Sequence, residues 1–232
     1  MTIGSSSQAK PPHTPANNRG QLKRMTNYHT SGMTLISPDD CIWSQSTRMV
    51  IYEKQIPIEL KFYDANNPPD YLLELNPNAL SPTLIDKELI LYHATIIMEY
   101  LEERFPQPAL NKMDPISKAN NRMIIKRISD DWCQLLEAIL YRPEDPQQSK
   151  KFLTESLLSS VPLFRAKKYF MSDSFTLIDC ILAPLLWRLP KLGIPIFDHS
   201  PDIKNYAQRL FSRPSFKDSL SRTERKLGDF NL

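Results

Sequence analysis

Hydrophobic and polar residues follow two different periodicities along this chain. Up to residue 105, short apolar runs bounded by turn residues are interleaved with segments whose apolar side chains recur at helical spacing. The runs typical of strands are 33–37, 56–65 and the two halves of 81–92, which turn at Asp86-Lys87. The segments typical of helices are 41–55, 71–77 and 94–105. The pattern therefore predicts the element order βαβαββα for the first half of the chain.

In the second half of the chain the apolar residues recur only at helical spacing. Residues 117–141 are predicted as one long helix with a buried apolar stripe. That stripe comprises Met123, Ile124, Ile128, Trp132, Leu135, Leu136 and Ile139. Residues 176–189 are apolar on nearly all sides, which predicts the central buried helix of this half. Thr176 and Asp179 have the spacing of a capping box at its start.

These two periodicities divide the chain into two folded domains of different fold class. The fold class is α/β plus all-α, with a thioredoxin-like domain over 33–108 and a helical bundle over 117–224. The linker is 109–116, because Pro106, Pro108 and Pro115 lie in a stretch without periodicity. Residues 1–32 hold almost no large apolar side chains and are predicted to be a disordered tail, and 225–232 a flexible C-terminus.

Charge and cysteine usage exclude several classes of protein. The first 32 residues carry four basic and no acidic side chains, so the remaining 200 carry 29 − 4 = 25 basic and 26 acidic ones, a net charge of −1. We therefore expect no direct sequence-specific DNA binding. The three cysteines, Cys41, Cys133 and Cys180, form no C-x-x-C pair, which predicts neither a disulfide nor a metal site, and no cofactor is expected. No apolar run is long enough for a membrane span, and a cytoplasmic location is predicted.

Several long strings of residues identify a family. NNPPDYLLELNPN (66–78), SPTLIDKELILY (81–92) and FTLIDCILAPLLWRLPKLGI (175–194) are three of them, joined by IIMEYLEERFPQPAL (96–110) and DW at 131–132. Together with the two-domain order they resemble the glutathione transferase fold and, more closely, the stringent starvation protein A family. The resemblance covers residues 33 to about 222.

That resemblance implies a function in transcription. Members of the family are taken to bind RNA polymerase holoenzyme and to redirect promoter use during starvation and acid stress, without glutathione transferase activity. It also implies a homodimer, or a dimer with a paralogue. In the family a Pro-His-Pro segment lines the polymerase contact, and Pro106-Gln107-Pro108 matches it with Gln in the middle. A plain linker is the alternative for this segment. The residues predicted to bind the partner are Tyr92, Glu102, Arg104, Pro106, Gln107 and Pro108.

The residues that would hold glutathione are altered. Pro82 after Ser81 matches the cis-proline of thioredoxin-like folds. At the start of the next helix the transferases use an acid and a hydroxyl, but this chain has His93 and Ala94. Thr95 lies one residue after the position of that hydroxyl, so its side chain is expected to point away from the glutathione site. Losing two charge-assisted contacts of roughly 1.5 to 3 kcal/mol each weakens binding by about two to four powers of ten, so we predict a vestigial site.

Cys41 carries the alternative function, a glutathione-dependent thiol transferase. Cys41-Ile42-Trp43-Ser44 resembles the active thiol of omega-like transferases, and a helix N-terminus favours the thiolate. Against this, Ile42 replaces the usual proline, and Asp39 and Asp40 precede the cysteine. A third class, a sensor of a nucleotide in the vacated cleft, has no residue pattern behind it.

Overall fold

The computed structural model of the chain describes residues 32–78, 80–111, 114–141 and 146–228. Apart from Gly32, the predicted N-terminal tail lies outside these residues, as do the last four residues of the predicted flexible C-terminus. The described residues therefore cover most of the two predicted domains and of the segment that joins them.

The N-terminal domain contains one four-stranded sheet with helices. Its elements are β1 (Met33–Pro38), α1 (Ile42–Glu53), β2 (Ile58–Tyr63), α2 (Asp70–Leu75), β3 (Thr83–Asp86), β4 (Leu89–Tyr92) and α3 (Ala94–Arg104). The strand order is β2-β1-β3-β4, with β1 and β2 parallel and the other two pairs antiparallel. This confirms the predicted order βαβαββα.

The buried positions explain why these elements assemble. Every residue of β1 is buried, because β1 lies in the interior of the sheet. In α1 the residues from Ser44 to Ile51 are all buried, since this helix packs against α3 of its own domain and against the long apolar helix of the next one. The first domain therefore shares one apolar core with the second.

The C-terminal domain is all-helical, as predicted. Its elements are α4 (Pro115–Ile128), a π-helical turn (Ser129–Cys133), α5 (Gln134–Tyr141), α6 (Pro146–Ser159), α7 (Val161–Arg165), α8 (Leu177–Arg188), α9 (Ile196–His199), α10 (Pro201–Phe211), α11 (Pro214–Ser219) and a 3₁₀ turn (Glu224–Lys226). All twelve residues of α8 are buried, which confirms it as the central helix. Among the described helices, none combines the length and apolarity that crossing a membrane requires.

The capping interaction at the start of α8 is also confirmed. The Thr176 amide donates to Asp179 Oδ2 at 2.8 Å, and the Thr176 hydroxyl donates to the same atom at 3.0 Å. The Phe170 amide and the Tyr206 hydroxyl donate to Asp179 Oδ1 at 3.0 and 2.6 Å. Asp179 therefore joins three segments of the domain as well as capping its central helix.

The segment predicted as one helix over 117–141 is helical throughout, but it differs from the prediction in two respects. The helix is divided by the π-helical turn at Ser129–Cys133, and Met123 is exposed while Ile125 is buried. Met123 lies five residues before Ile128, which is about 140° around an α-helix, so the two side chains face different directions. Trp132, Cys133, Trp187 and Cys180 are buried, as predicted.

The end of the described chain is more ordered than the predicted flexible C-terminus from 225 implies. Leu227 packs against the apolar core. A Cβ atom on Gly228 would lie 2.6 Å from a ring carbon of Trp187, so only glycine allows this close approach. The C-terminal segment therefore packs on α8 up to residue 228.

Candidate functional site

A cleft of about 540 Å³ lies between the two domains. Its lining includes four of the predicted site residues, Cys41, Ser81, His93 and Ala94, which the fold brings together from separate elements. The other lining residues are Pro38, Asp40, Trp43, Tyr63, Ala65, Pro68, Leu80, Thr95, Ser129, Gln134, Glu137 and Tyr141. Pro82 is buried, and the Ser81-Pro82 peptide bond is cis, as predicted.

Cys41 lies at the N-terminal end of α1, but its environment does not activate it. The residue is half-buried, and burial raises the pKa of the thiol above its ordinary value. Hydrogen bonds from Ser44 and the positive charge of Arg188 act in the opposite direction without overcoming that effect. The helix N-terminus was expected to favour the thiolate, and in the structure desolvation outweighs it.

The residues of the predicted glutathione site lie around the start of α3 and before the cis-proline. His93 precedes α3 with a φ of 69°, and its side chain makes no capping hydrogen bond. Ala94 is buried, and the Ser81 hydroxyl is hydrogen-bonded to the Tyr63 hydroxyl at 2.8 Å. Thr95 lines the cleft, so the expectation that it points elsewhere is wrong. His93 and the first two residues of α3 therefore all lie at the cleft.

A buried charge cluster that the sequence analysis missed lies behind Cys41. Glu224, from the last turn, accepts from Arg48 Nη2 at 2.6 Å and from Arg188 Nη2 at 2.8 Å. The same Arg188 atom donates to Asp40 Oδ1 at 2.8 Å, and Arg188 Nη1 donates to Gln45 at 2.5 Å. The cluster therefore ties α1 of the first domain to α8 and the C-terminal turn of the second.

The sequence could have indicated one member of this cluster, Arg188. Arg188 ends a helix whose other residues are apolar except Asp179, and a charged residue there needs an internal partner. Nothing local indicated Glu224, which is 36 residues further along the chain. Removing one partner of a buried ion pair leaves an uncompensated charge, which costs about 3 to 5 kcal/mol. The cluster holds the cleft's inner wall in place.

A second buried ion pair supports the predicted docking segment. Lys54 Nζ lies 2.6 Å from Glu102 Oε2 and donates to the carbonyls of Phe105 and Pro108 at 2.6 and 2.8 Å. Glu102 Oε1 accepts from the amides of Leu110 and Asn111, both at 3.0 Å. The chain around Pro106-Gln107-Pro108 is thus anchored from inside while those three residues are exposed.

Two of the residues predicted to bind the partner require correction. Glu102 is only 6% exposed, so it cannot meet a partner, because its carboxylate is needed by Lys54 and the linker amides. Tyr92 precedes α3 and Pro106 follows it, and an eleven-residue helix is about 16 Å long. Tyr92 therefore lies at the opposite end of α3 from the docking segment. Arg104 is exposed and pairs with Asp86 at 2.8 Å.

The described part of the chain holds no group of three or more His, Cys, Asp or Glu side chains arranged for a metal ion. The free thiols of Cys133 and Cys180 are fully buried, and burial raises the pKa of each thiol far above its ordinary value. These two cysteines therefore act as small apolar core residues.

Comparison with known proteins identifies both domains. The glutathione S-transferase N-terminal domain matches residues 35–109, and the glutathione S-transferase C-terminal domain matches residues 130–214. The crystal structure of glutathione transferase Omega 3C from Trametes versicolor superposes with a TM-score of 0.72 at 23% identity, covering 87% of this chain and 90% of that one. That likeness concerns the fold alone.

Two relatives are much closer in sequence. The stringent starvation protein A homolog of Coxiella burnetii is 41% identical over 84% of this chain and 94% of its own length. The homolog of Haemophilus influenzae is also 41% identical, over 82% of this chain and 91% of its own length. With the two-domain fold, these identities show that the chain belongs to the stringent starvation protein A family, within the glutathione transferase fold.

Proposed function

We propose that this protein is a non-enzymatic transcription regulator that binds RNA polymerase holoenzyme and alters promoter use under starvation or acid stress. The observation that carries the proposal is its membership of the stringent starvation protein A family. The polymerase is the partner that the resemblance in the sequence implies. Such a partner places the protein in the cytoplasm.

The docking segment Pro106-Gln107-Pro108 supports the proposal, because it is both exposed and held in one conformation. Prolines on either side of Gln107 restrict the backbone, and the buried Lys54 ammonium binds the carbonyl that precedes the segment and the carbonyl of its last residue, Pro108. A surface that is ordered before binding loses little entropy when a partner docks. Gln107 keeps a polar side chain at the centre of this surface.

The cleft supports the non-enzymatic part of the proposal. A transferase needs a thiolate or a hydroxyl that activates glutathione, together with groups that hold its charged ends. The raised pKa of Cys41 works against the thiolate, and His93 and Ala94 provide neither a carboxylate nor a hydroxyl. A thiol transferase that uses Cys41 is the second candidate, favoured by the access of Cys41 and Ser81 to the same cleft.

A homodimer is part of the proposal and has exposed apolar side chains to support it. Leu89, Tyr92 and Ile96 are exposed around β4 and α3, and Ile116 and Met123 are exposed on α4. A two-fold dimer can place the first group on one subunit against the second group on its partner. Tyr92 then serves the subunit interface. Replacing Met123 by Asp should convert a dimer to monomers in analytical ultracentrifugation, whereas an unchanged sedimentation coefficient would remove this surface from the proposal.

The test of the proposal is retention of the purified protein on immobilised RNA polymerase, with core enzyme and holoenzyme in parallel. Specific retention on the holoenzyme is expected. No retention on either form would refute the proposal. Retention on glutathione-agarose, with turnover of a glutathione-dependent thiol substrate that disappears in C41S, would favour the second candidate.

A further inference from the structure

The described lining of the interdomain cleft is acidic, whereas glutathione carries a net negative charge. Asp40 and Glu137 are the acidic side chains of its lining, and no Lys or Arg is found among the described residues that line it. Glutathione and nucleotides are anions, so such a lining disfavours both. A vacated cleft of about 540 Å³ has room for a small molecule of different charge.

The two carboxylates differ in how their charges are balanced. Asp40 Oδ1 pairs with Arg188 at 2.8 Å, and Arg188 belongs to the neutral cluster of two arginines and two acids behind the cleft. Glu137 is half-buried on α5, and its Oε1 accepts a hydrogen bond from Trp43 Nε1 at 2.7 Å. No cationic side chain in the described ranges pairs with Glu137. Among the described residues, one negative charge therefore faces the cleft without a cationic partner.

Aromatic rings line the same cleft as that charge. Trp43, Tyr63 and Tyr141 line the cleft, and the Trp43 indole holds Glu137 in place through its hydrogen bond. Burial raises the pKa of Tyr141 to about 12; the charges of Asp40 and Glu137 raise it as well, whereas the charge of Arg188 lowers it. Aromatic faces beside a carboxylate are suited to a cation with an apolar body.

We propose that the cleft binds a small organic monocation of the alkylammonium class. The ammonium group donates to the free carboxylate oxygen of Glu137, and the hydrocarbon part lies along Trp43 and Tyr141. An alkylammonium ion is fully charged at neutral pH. The cleft has thus exchanged the anionic ligand of its fold for a cationic one, a property independent of polymerase binding.

The experiment uses three probes of equal length and different charge, which are hexylammonium, 1-hexanol and hexanoate. Binding is followed by tryptophan fluorescence, because Trp43 lines the cleft whereas Trp132 and Trp187 are buried in the core. Hexylammonium is expected to bind about tenfold more tightly than 1-hexanol, since a partly exposed charge-assisted hydrogen bond is worth about that factor. Hexanoate should bind most weakly of the three.

Two variants assign the selectivity to Glu137. Glu137→Gln should remove the tenfold preference for hexylammonium and leave 1-hexanol binding unchanged, whereas Glu137→Asp should retain a preference. The matched control is Glu155→Gln, which removes one negative charge from an exposed position on α6 and should keep the preference intact. Thermal unfolding of each variant confirms that it is folded.

Equal affinity for hexylammonium and 1-hexanol, tighter binding of hexanoate, or a preference that survives Glu137→Gln would each overturn the proposal. The titration uses the isolated protein. Its failure would leave the polymerase proposal standing, and failure to bind polymerase would leave the titration result unaffected.

Discussion

Replacing Lys54 by Met tests whether the buried pair with Glu102 holds the docking segment. The Lys54 side chain is fully buried, and its ammonium contacts the Glu102 carboxylate and the carbonyls of Phe105 and Pro108 within 2.8 Å. The change removes all three contacts while keeping most of the side-chain volume. It leaves the Glu102 carboxylate buried with only the amides of Leu110 and Asn111.

The expected loss of stability follows from that geometry. Breaking a buried ion pair by removing one partner costs about 3 to 5 kcal/mol, so Lys54→Met should lower the free energy of unfolding by that amount. Replacing Glu102 by Leu should cost at least as much, because two linker amides also lose their acceptor. In the double variant neither charge remains unpaired, so its loss should be smaller than the sum of the single losses by more than about 1 kcal/mol.

The assay is guanidinium unfolding followed by circular dichroism, applied to the complete double-mutant cycle. Lys61→Met is the matched control, because Lys61 pairs with Glu59 at 3.3 Å in an exposed position and should cost less than about 1 kcal/mol. A loss below about 1 kcal/mol for Lys54→Met, or additive losses in the cycle, would contradict the anchoring role.

Two further predictions concern the cleft and the central helix. Because the pKa of Cys41 is raised, the thiolate fraction of Cys41 at neutral pH is reduced. Iodoacetamide should therefore alkylate Cys41 more slowly than free cysteine at pH 7, and the alkylation rate of Cys41 should rise at a higher pH than the rate for free cysteine. Faster alkylation of Cys41 than of free cysteine at pH 7 would contradict the desolvated thiol. Asp179→Ala should lower the free energy of unfolding by at least about 3 kcal/mol, since four donors to one buried carboxylate lose their acceptor, and chemical denaturation that shows a loss below about 1 kcal/mol would refute this.

The features that could be predicted from sequence depend on neighbours close in the chain. The alternating strands, the apolar helix α8 and its Thr176-Asp179 cap all follow from spacing within a few residues. The position of His93 and Ala94 in the cleft was also predictable, because both residues follow directly after a hairpin. These residues needed only the order of the elements to be placed in the cleft.

The features that could not be predicted depend on distant partners. Glu102 was expected on an exposed helix face, and nothing within α3 indicated that Lys54 and two linker amides would surround it. The predicted helical bundle ends at Glu224 with no assigned partner for this residue, yet Glu224 neutralises Arg48 from a position 176 residues away. No local signal in the sequence marked the π-helical turn at Ser129–Cys133.

The affinity of the protein for RNA polymerase holoenzyme, compared with that of the double variant P106A/P108A, tests the central claim most directly. Pro190→Ala, an exposed proline on the other domain, is the matched control. The account predicts specific binding by the wild type and the control, and binding at least about tenfold weaker by the double variant with its fold intact. Wild-type protein that fails to bind the holoenzyme would contradict the proposed function, and equal affinities for all three proteins would contradict the docking segment.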